Sequence, residues 1–164
     1  MSPAGELLTI GHSTHPAELF TDLVRGQRVE LVCDVRRFPA SRRNPQFNAR
    51  ALASALDAAG VAYEPLGEEL GGRREPSGPA PRSGGERSDA FRAYAEYMET
   101  PEFDAGLARL EELARERRTA IMCAEGDWRH CHRRLIADAL ASRGWRILHI
   151  GRDGTLEEHQ PALS

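Results

Sequence analysis

Five short, continuously apolar runs are the feature of this sequence that most constrains its fold. They are LLTI at 7–10, ELVCDV at 30–35, a shorter run beginning at Val61, TAIMC at 119–123 and WRILHI at 145–150. Segments with the apolar spacing of helices separate them. Strands without polar alternation are typical of a parallel sheet that is covered on both faces. The pattern therefore predicts a Rossmann-like three-layer α/β/α sandwich with a five-stranded, mainly parallel sheet.

The helices between these runs carry recognisable start and stop signals. Pro16, Asn48 and Thr100 are typical of helix starts, and Gly60 and Gly144 follow predicted helices. A further helix is predicted over residues 89–98. Residues 73–88 are rich in Pro, Gly, Ser and Arg without apolar periodicity, so we expect a mobile surface loop there. The 164 residues suit a single domain, 1–164, that contains this loop.

The composition argues against several classes of protein. The net charge of −3 argues against nucleic-acid binding through bulk positive charge. All 22 basic residues are arginine, so the chain has no lysine for a Schiff base or a phosphate loop. No apolar run is as long as a membrane span, and the N-terminus does not resemble a secretory signal. Three cysteines, an odd number, favour a reducing cytoplasm over a disulfide scaffold.

The residues that follow each predicted strand are the candidates for a site, because ligands of open parallel sheets bind outside the carboxyl ends of the strands. These positions are unusually polar. They are His12 and Ser13 after the first strand, Asp34, Arg36 and Ser41 after the second, Gly71, Gly72 and Arg73 after the third, and Cys123, Glu125, Arg129, Cys131, His132 and Arg133 after the fourth. Their convergence on one edge predicts a functional site there.

Proton transfer and anion binding are the tasks that these residue types suit. His12 and Glu125 are the candidate acid and base, and Cys123 is a candidate nucleophile or pocket-lining residue. Hydroxyl and guanidinium groups hold phosphates and carboxylates. The predicted anion-binding residues are Ser13, Arg36, Ser41, Arg73, Arg129 and Arg133. Asp34, Gly71, Gly72, Cys131 and His132 are expected to support the site structurally.

For two of these groups, a purely structural role is an alternative to a role in catalysis or binding. His12 could be a structural histidine that bonds a neighbouring loop. Asp34 and Arg36 could form a buried ion pair that only orders the loop after the second strand.

The cysteines allow two specific chemistries. Cys123 and Arg129 have the Cys-x5-Arg spacing with which cysteine phosphatases place phosphate beside a thiolate. Glu125 lies within that segment, however, and its carboxylate would repel a phosphate. Cys123, Cys131 and His132 are the candidate ligands of a metal ion. Adjacent helical residues point about 100° apart, so Cys131 and His132 do not readily share one ion.

Six segments in order resemble the domain-of-unknown-function family 488 over nearly the whole chain. They are TIGHST at 9–14, DVRRFPASRRNPQFN at 34–48, LGG at 70–72, FRAYAEYMETPEF at 91–103, CAEGDWRHCHRRLIA at 123–137 and HI at 149–150. The resemblance implies an α/β fold and no established reaction. Trp128, followed by Arg129, stands where the family pattern has a proline, which is a departure in the loop after the fourth strand.

These observations support three hypotheses of function. The first is an enzyme that acts on a nucleotide-like or other phosphorylated or anionic substrate by hydrolysis or group transfer. The second is a non-enzymatic module that binds nucleotide or nucleic-acid phosphate. The third is a thiol or metal sensor that uses Cys123, Cys131 and His132. No cofactor is implied, and no Gly-x-Gly-x-x-Gly follows the first strand, so dinucleotide redox chemistry is disfavoured.

Overall fold

A six-stranded sheet forms the centre of the molecule. The computed structural model describes residues 5–40, 42–72 and 86–160. The strands are β1 (Gly5–Gly11), β2 (Leu31–Asp34), β3 (Ala62–Pro65), β4 (Thr119–Cys123), β5 (Trp145–Ile150) and β6 (Leu156–Glu158). Their order is β3-β2-β4-β1-β5-β6. All pairings are parallel except that of β5 with β6.

The predicted α/β fold with a mainly parallel sheet is confirmed, but the predicted number of five strands was wrong. The sixth strand, β6, has only three residues, and all three are exposed. It pairs antiparallel with the end of β5, with Ile150 opposite Leu156. A short edge strand held by backbone pairing has no apolar run, so hydrophobic patterning does not reveal it.

Within residues 5–40, 42–72 and 86–160, six helices connect the strands. They are α1 (Ala17–Gly26), α2 (Ala49–Ala58), α3 (Gly67–Leu70), α4 (Glu86–Tyr97), α5 (Pro101–Glu116) and α6 (Arg133–Ser142), and two short 3-10 helices cover Pro45–Phe47 and Trp128–His130. Thr100 caps α5 as predicted, because its hydroxyl accepts a hydrogen bond from the backbone N–H of Phe103. Within the described ranges, no helix has both the length and the apolarity that crossing a membrane requires.

The predicted loop over residues 73–88 is only partly within the described residues. Positions 73–85 lie outside them, and so do two predicted anion-binding residues, Ser41 and Arg73. Residues 86–88 belong to α4, so the loop prediction was wrong for these three positions. The helix begins before its first apolar residue, Ala90, which is why the periodicity placed its start too late.

Two hydrophobic clusters, one on each face of the sheet, create the three layers. Leu8 and Ile10 of β1 pack with Phe20 of α1 and Leu52 of α2 on one face. On the other face, Leu7 packs in a cluster with residues of α3, α4, α5 and α6. Neighbouring strand residues point to opposite faces, so a continuous apolar run supplies both clusters. Each fully buried large side chain contributes about 1.5–3 kcal/mol.

The close approach of β1 and β4 positions the loops of the predicted site. Gly11 pairs with Cys123 at the ends of these strands. The pairing continues into the loops, because the N–H of His12 donates to the Cys123 carbonyl at 2.9 Å. A Cβ atom on Gly11 would lie 1.8 Å from the carbonyl oxygen of Glu125. Only glycine therefore allows the loop after β4 to lie against β1.

We predict that Gly11→Ala lowers the free energy of unfolding by about 3 kcal/mol or more, because the loop backbone must move to accept the methyl group. Gly26→Ala is the matched control. A Cβ atom there meets nothing within 4 Å, so a change below about 1 kcal/mol is expected. Chemical denaturation of both variants measures the difference. Equal effects of the two substitutions would contradict this account of the β1–β4 contact.

Candidate functional site

A cleft of about 450 Å³ opens at the carboxyl ends of β1, β4 and β5. Four residues predicted from the sequence as site residues line it, namely Ser13, Glu125, Arg129 and Arg133. The structure adds residues that the sequence reasoning missed as site residues: His15, Trp128, His149, Arg152 and Glu157. The predicted edge of the sheet therefore carries a concave site, and its centre lies toward β5.

Arg133 provides a buried positive charge at this cleft. It is the first residue of α6, and its side chain is only 1% exposed. Its Nη2 donates a long hydrogen bond, 3.5 Å, to the carbonyl oxygen of Gly126. Its Nε and Nη1 have no hydrogen-bond partner among the described residues, and no described carboxylate forms an ion pair with it. A buried charge without a counter-charge costs several kcal/mol, so an anion at this position would be strongly stabilised.

Two cysteine thiols lie next to this guanidinium. Cys123 ends β4, Cys131 precedes α6, and their sulfur atoms are 2.9 Å apart. Burial raises the pKa of the Cys123 thiol, but the hydrogen bond from Cys131 and the charge of Arg133 outweigh it and lower the pKa below the ordinary value. The pKa of Cys131 rises, because its hydrogen bond to Cys123 and its burial both favour the protonated form. The pair is therefore suited to hold one thiolate.

The third cysteine, Cys33, shows how burial changes the pKa of a thiol that has neither Arg133 nor a second cysteine beside it. Cys33 lies in β2 and is fully buried in the core. Burial raises the pKa of its thiol to about 12. We therefore assign Cys33 to the core and the thiolate chemistry to Cys123 and Cys131.

Arg36 forms an ion pair with Asp34 and is not among the described residues that line the cleft. Its Nε and Nη2 donate to the two carboxylate oxygens of Asp34 at 2.9 and 2.6 Å. The hydroxyl of Tyr63 donates to the same carboxylate at 2.6 Å. Arg36 and Asp34 are both buried. This geometry matches the plainer of the two sequence interpretations, in which the ion pair orders the loop after β2.

His12 has both ring nitrogens engaged. Nδ1 donates to the Ser13 carbonyl at 2.8 Å, which leaves Nε2 as an acceptor 3.4 Å from Nη1 of Arg36. The ring stacks on Phe47, with the ring centroids 4.4 Å apart. Burial lowers the pKa of His12, and the backbone hydrogen bond to Ser13 opposes that shift only in part. Glu125 lines the cleft, whereas His12 is not among the described residues that line it.

Arg129 is neutralised by carboxylates. It donates to Glu157 at 2.6 Å and to Asp127 at 3.4 Å, and its guanidinium lies over the ring of Trp128. In the phosphatase arrangement that the Cys-x5-Arg spacing suggested, this arginine would face an anion at a helix N-terminus. Here the helix begins at Arg133 instead, and that residue is the buried cation.

The glycines and His132 join three elements behind the cleft. A Cβ atom on Gly71 would lie 2.6 Å from the Cβ of Arg37, and one on Gly72 would lie 3.2 Å from Nδ1 of His132. Nε2 of His132 donates to the Val35 carbonyl at 3.2 Å. The end of α3, the loop after β2 and the start of α6 therefore pack tightly at these residues.

A metal site at Cys123, Cys131 and His132 gains no support from this geometry. Over the described ranges, no group of three or more His, Cys, Asp or Glu side chains could hold a metal ion. Nε2 of His132 is already committed to a backbone carbonyl.

A network of histidines forms the wall of the cleft on the side of β5. The rings of His149 and Trp128 are stacked at 4.1 Å with an interplanar angle of 3°. His149 also contacts Thr9 and His159 through hydrogen bonds, and His159 bonds to Asp138 at 2.6 Å. Burial lowers the pKa of His149 to about 3, and the charge of Arg133 acts in the same direction. His149 is therefore a neutral, structural part of the wall.

One of the missed residues could have been found with the strand-end rule. Arg152 is the second residue after β5, so extending the rule to the fifth strand finds it. Glu157 lies in β6, which no apolar run indicated, and His15 lies in a turn before α1. Their places in the cleft depend on tertiary structure.

The fold and the cleft define a three-layer α/β protein with a polar site at the carboxyl edge of its sheet. The chain belongs to the family described as domain of unknown function DUF488, whose model matches residues 16–140. The match runs from the start of α1 to the last turns of α6 and confirms the resemblance seen in the sequence. Neither a curated protein nor a solved structure matches the chain.

The low pKa of His149 predicts an acid-sensitive stability. Between its ordinary pKa of 6.5 and about 3, the unfolded chain binds a proton that folded His149 does not bind. Stability therefore falls as the pH drops through this range, by up to about 1.4 kcal/mol per pH unit from this residue. In His149→Gln, the slope of the unfolding free energy between pH 6 and pH 4 should decrease accordingly.

Thr9→Val is the control for this measurement. It removes a hydrogen bond to His149 but keeps the imidazole, so the steep slope should persist. Urea unfolding at several pH values measures both slopes. If His149→Gln has the same slope as the unmodified protein, the assignment of a neutral His149 is wrong.

Proposed function

We propose that the protein is an enzyme that binds a small anionic substrate, nucleotide-like or otherwise phosphorylated, in this cleft and acts on it by hydrolysis or group transfer. The observation that supports the proposal is the buried guanidinium of Arg133, whose Nε and Nη1 have no hydrogen-bond partner among the described residues. No described carboxylate pairs with this guanidinium and the nearby thiols supply at most one negative charge, so a further anion in the cleft would lower the cost of burying it.

The size and charge of the cleft favour a small molecule. A volume of about 450 Å³ lies within the usual range for small-molecule sites, about 300–1,000 Å³. Guanidinium groups bind phosphate and carboxylate oxygens through charge-assisted hydrogen bonds. Arg152, exposed at the rim, adds a second positive charge, whereas Arg129 is already paired with carboxylates.

Glu125 is the residue that we assign to proton transfer. Its exposed side chain lines the cleft, and one carboxylate oxygen accepts a hydrogen bond from the Asp127 N–H at 3.3 Å. A carboxylate in this position is suited to take a proton from a water molecule or a substrate hydroxyl. Cys123 is only 1% exposed and does not line the cleft, so we assign it an electrostatic role beside Arg133.

The three free thiols suit a reducing compartment, and a cytoplasmic location is part of the proposal. In such a compartment, Cys123 and Cys131 stay reduced and the charge of Arg133 is partly balanced by their thiolate.

We predict that Arg133→Gln weakens the binding of inorganic phosphate at least about tenfold, since hydrogen bonds to charged groups contribute about 1.5–3 kcal/mol. Arg134→Gln, the next residue of the same helix, should bind phosphate as the unmodified protein does. Isothermal titration calorimetry measures both affinities, and circular dichroism verifies the fold of each variant. Unchanged affinity in folded Arg133→Gln would refute Arg133 as the anion-binding group.

A second prediction separates an enzyme from a binding module. We expect a panel of phosphate monoesters and nucleotides, followed by phosphorus NMR, to reveal a turned-over compound. Glu125→Gln should reduce that turnover at least about a hundredfold, the usual contribution of general acid–base catalysis, and leave phosphate affinity within a factor of three. Glu116→Gln, an exposed carboxylate at the end of α5, should have no effect. Phosphate binding without turnover of any compound would support a non-enzymatic module instead.

A further inference from the structure

We propose that Cys123 and Cys131 form a dithiol that hydrogen peroxide oxidises to a disulfide, and that this oxidation strengthens anion binding at Arg133. The disulfide itself follows from the thiol geometry alone. Its effect on binding rests on the function proposed above.

The two sulfur atoms are already close enough to form a bond. Their separation of 2.9 Å exceeds the length of a disulfide, about 2.05 Å, by less than 1 Å. The cysteines lie on opposite sides of one loop, at the end of β4 and before α6. The structure therefore needs only a small adjustment of this loop to join them.

The surroundings favour a thiolate at this pair. The guanidinium of Arg133 is adjacent, and the backbone N–H of Arg133 donates to the sulfur of Cys131 at 3.4 Å. The positive end of the α6 dipole also faces the pair. Cys123 and Cys131 are both buried, with 1% and 7% of their surface exposed, so hydrogen peroxide reaches the pair when the loop between them opens locally. Fully buried Cys33 has neither Arg133 nor a second cysteine beside it.

The oxidation balances without any further reactant. The thiolate of the pair attacks one oxygen of hydrogen peroxide, the O–O bond breaks, and the departing hydroxide takes a proton to become water. The sulfenic acid that forms is attacked by the second thiol, the S–O bond breaks, and a second water leaves with that thiol's proton. Two thiols are oxidised by two electrons, and one peroxide is reduced to two waters.

The disulfide changes the charge next to the cleft. In the reduced protein, a thiolate partly neutralises Arg133. The disulfide is neutral, so the full positive charge becomes available to an anion in the cleft. An affinity gain of about fivefold to tenfold is expected, at the lower end of typical coupling between sites.

The test uses the full chain, its Cys33→Ser variant and its Cys131→Ser variant. After hydrogen peroxide treatment, the full chain should fall from three free thiols to one, and the intact mass should fall by two hydrogen atoms. Cys33→Ser should lose both of its thiols, and a reducing agent should restore them. In Cys131→Ser, Cys123 should instead form a sulfenic acid that dimedone traps. Retention of both thiols in Cys33→Ser, whose substitution lies in β2 and outside the loop, would overturn the proposal.

Calorimetry with inorganic phosphate then compares the reduced and oxidised forms of Cys33→Ser. Tighter binding by the oxidised form supports the coupling. Disulfide formation with equal, measurable phosphate affinities would overturn the coupling and leave the dithiol in place. Disulfide formation with no phosphate binding in either form would refute the proposed function and the coupling together, while the dithiol would stand.

Discussion

The buried charge of Arg133 is the constraint on which the site depends. Arg133 is the first residue of α6, is 1% exposed and lines the cleft, and its charge also lowers the pKa of the Cys123 thiol. Its charge favours a thiolate on one side and an anionic ligand on the other. The same charge helps to keep His149 neutral in the wall of the cleft. One cation therefore acts on both the thiol of Cys123 and the imidazole of His149, and it is the group to which we assign the proposed anion binding.

Most of the fold was predictable, because the burial of apolar side chains and the capping of helices leave patterns that are visible in short stretches of sequence. The runs at 7–10 and 119–123 supply apolar side chains to both faces of the sheet, so patterning alone indicates a parallel, covered sheet. Thr100 and Pro101 mark the start of α5 because capping is a short-range interaction. β6 was not predictable in this way, since its pairing with β5 involves the backbone of exposed residues.

The position of the cleft was predictable, and the contacts of the individual residues around it were less so. The ends of parallel strands meet at one edge, which is enough to bring Ser13, Glu125 and Arg133 to one cleft. Whether an arginine is free or paired depends on side-chain geometry that spacing does not encode. Arg36 is bound by Asp34 and Arg129 by Glu157, whereas Nε and Nη1 of Arg133 have no hydrogen-bond partner among the described residues. The network that links His149 to Asp138 joins residues that are distant in sequence.

The most direct test of this account is a crystal structure of the reduced protein grown with tungstate, an oxyanion whose anomalous scattering marks its position. The account predicts an anomalous peak in the cleft within hydrogen-bonding distance of the Arg133 guanidinium, with Glu125 on the opposite wall. Tungstate bound only at exposed arginines such as Arg42 and Arg43, with Arg133 still enclosed and without an anionic partner, would contradict it.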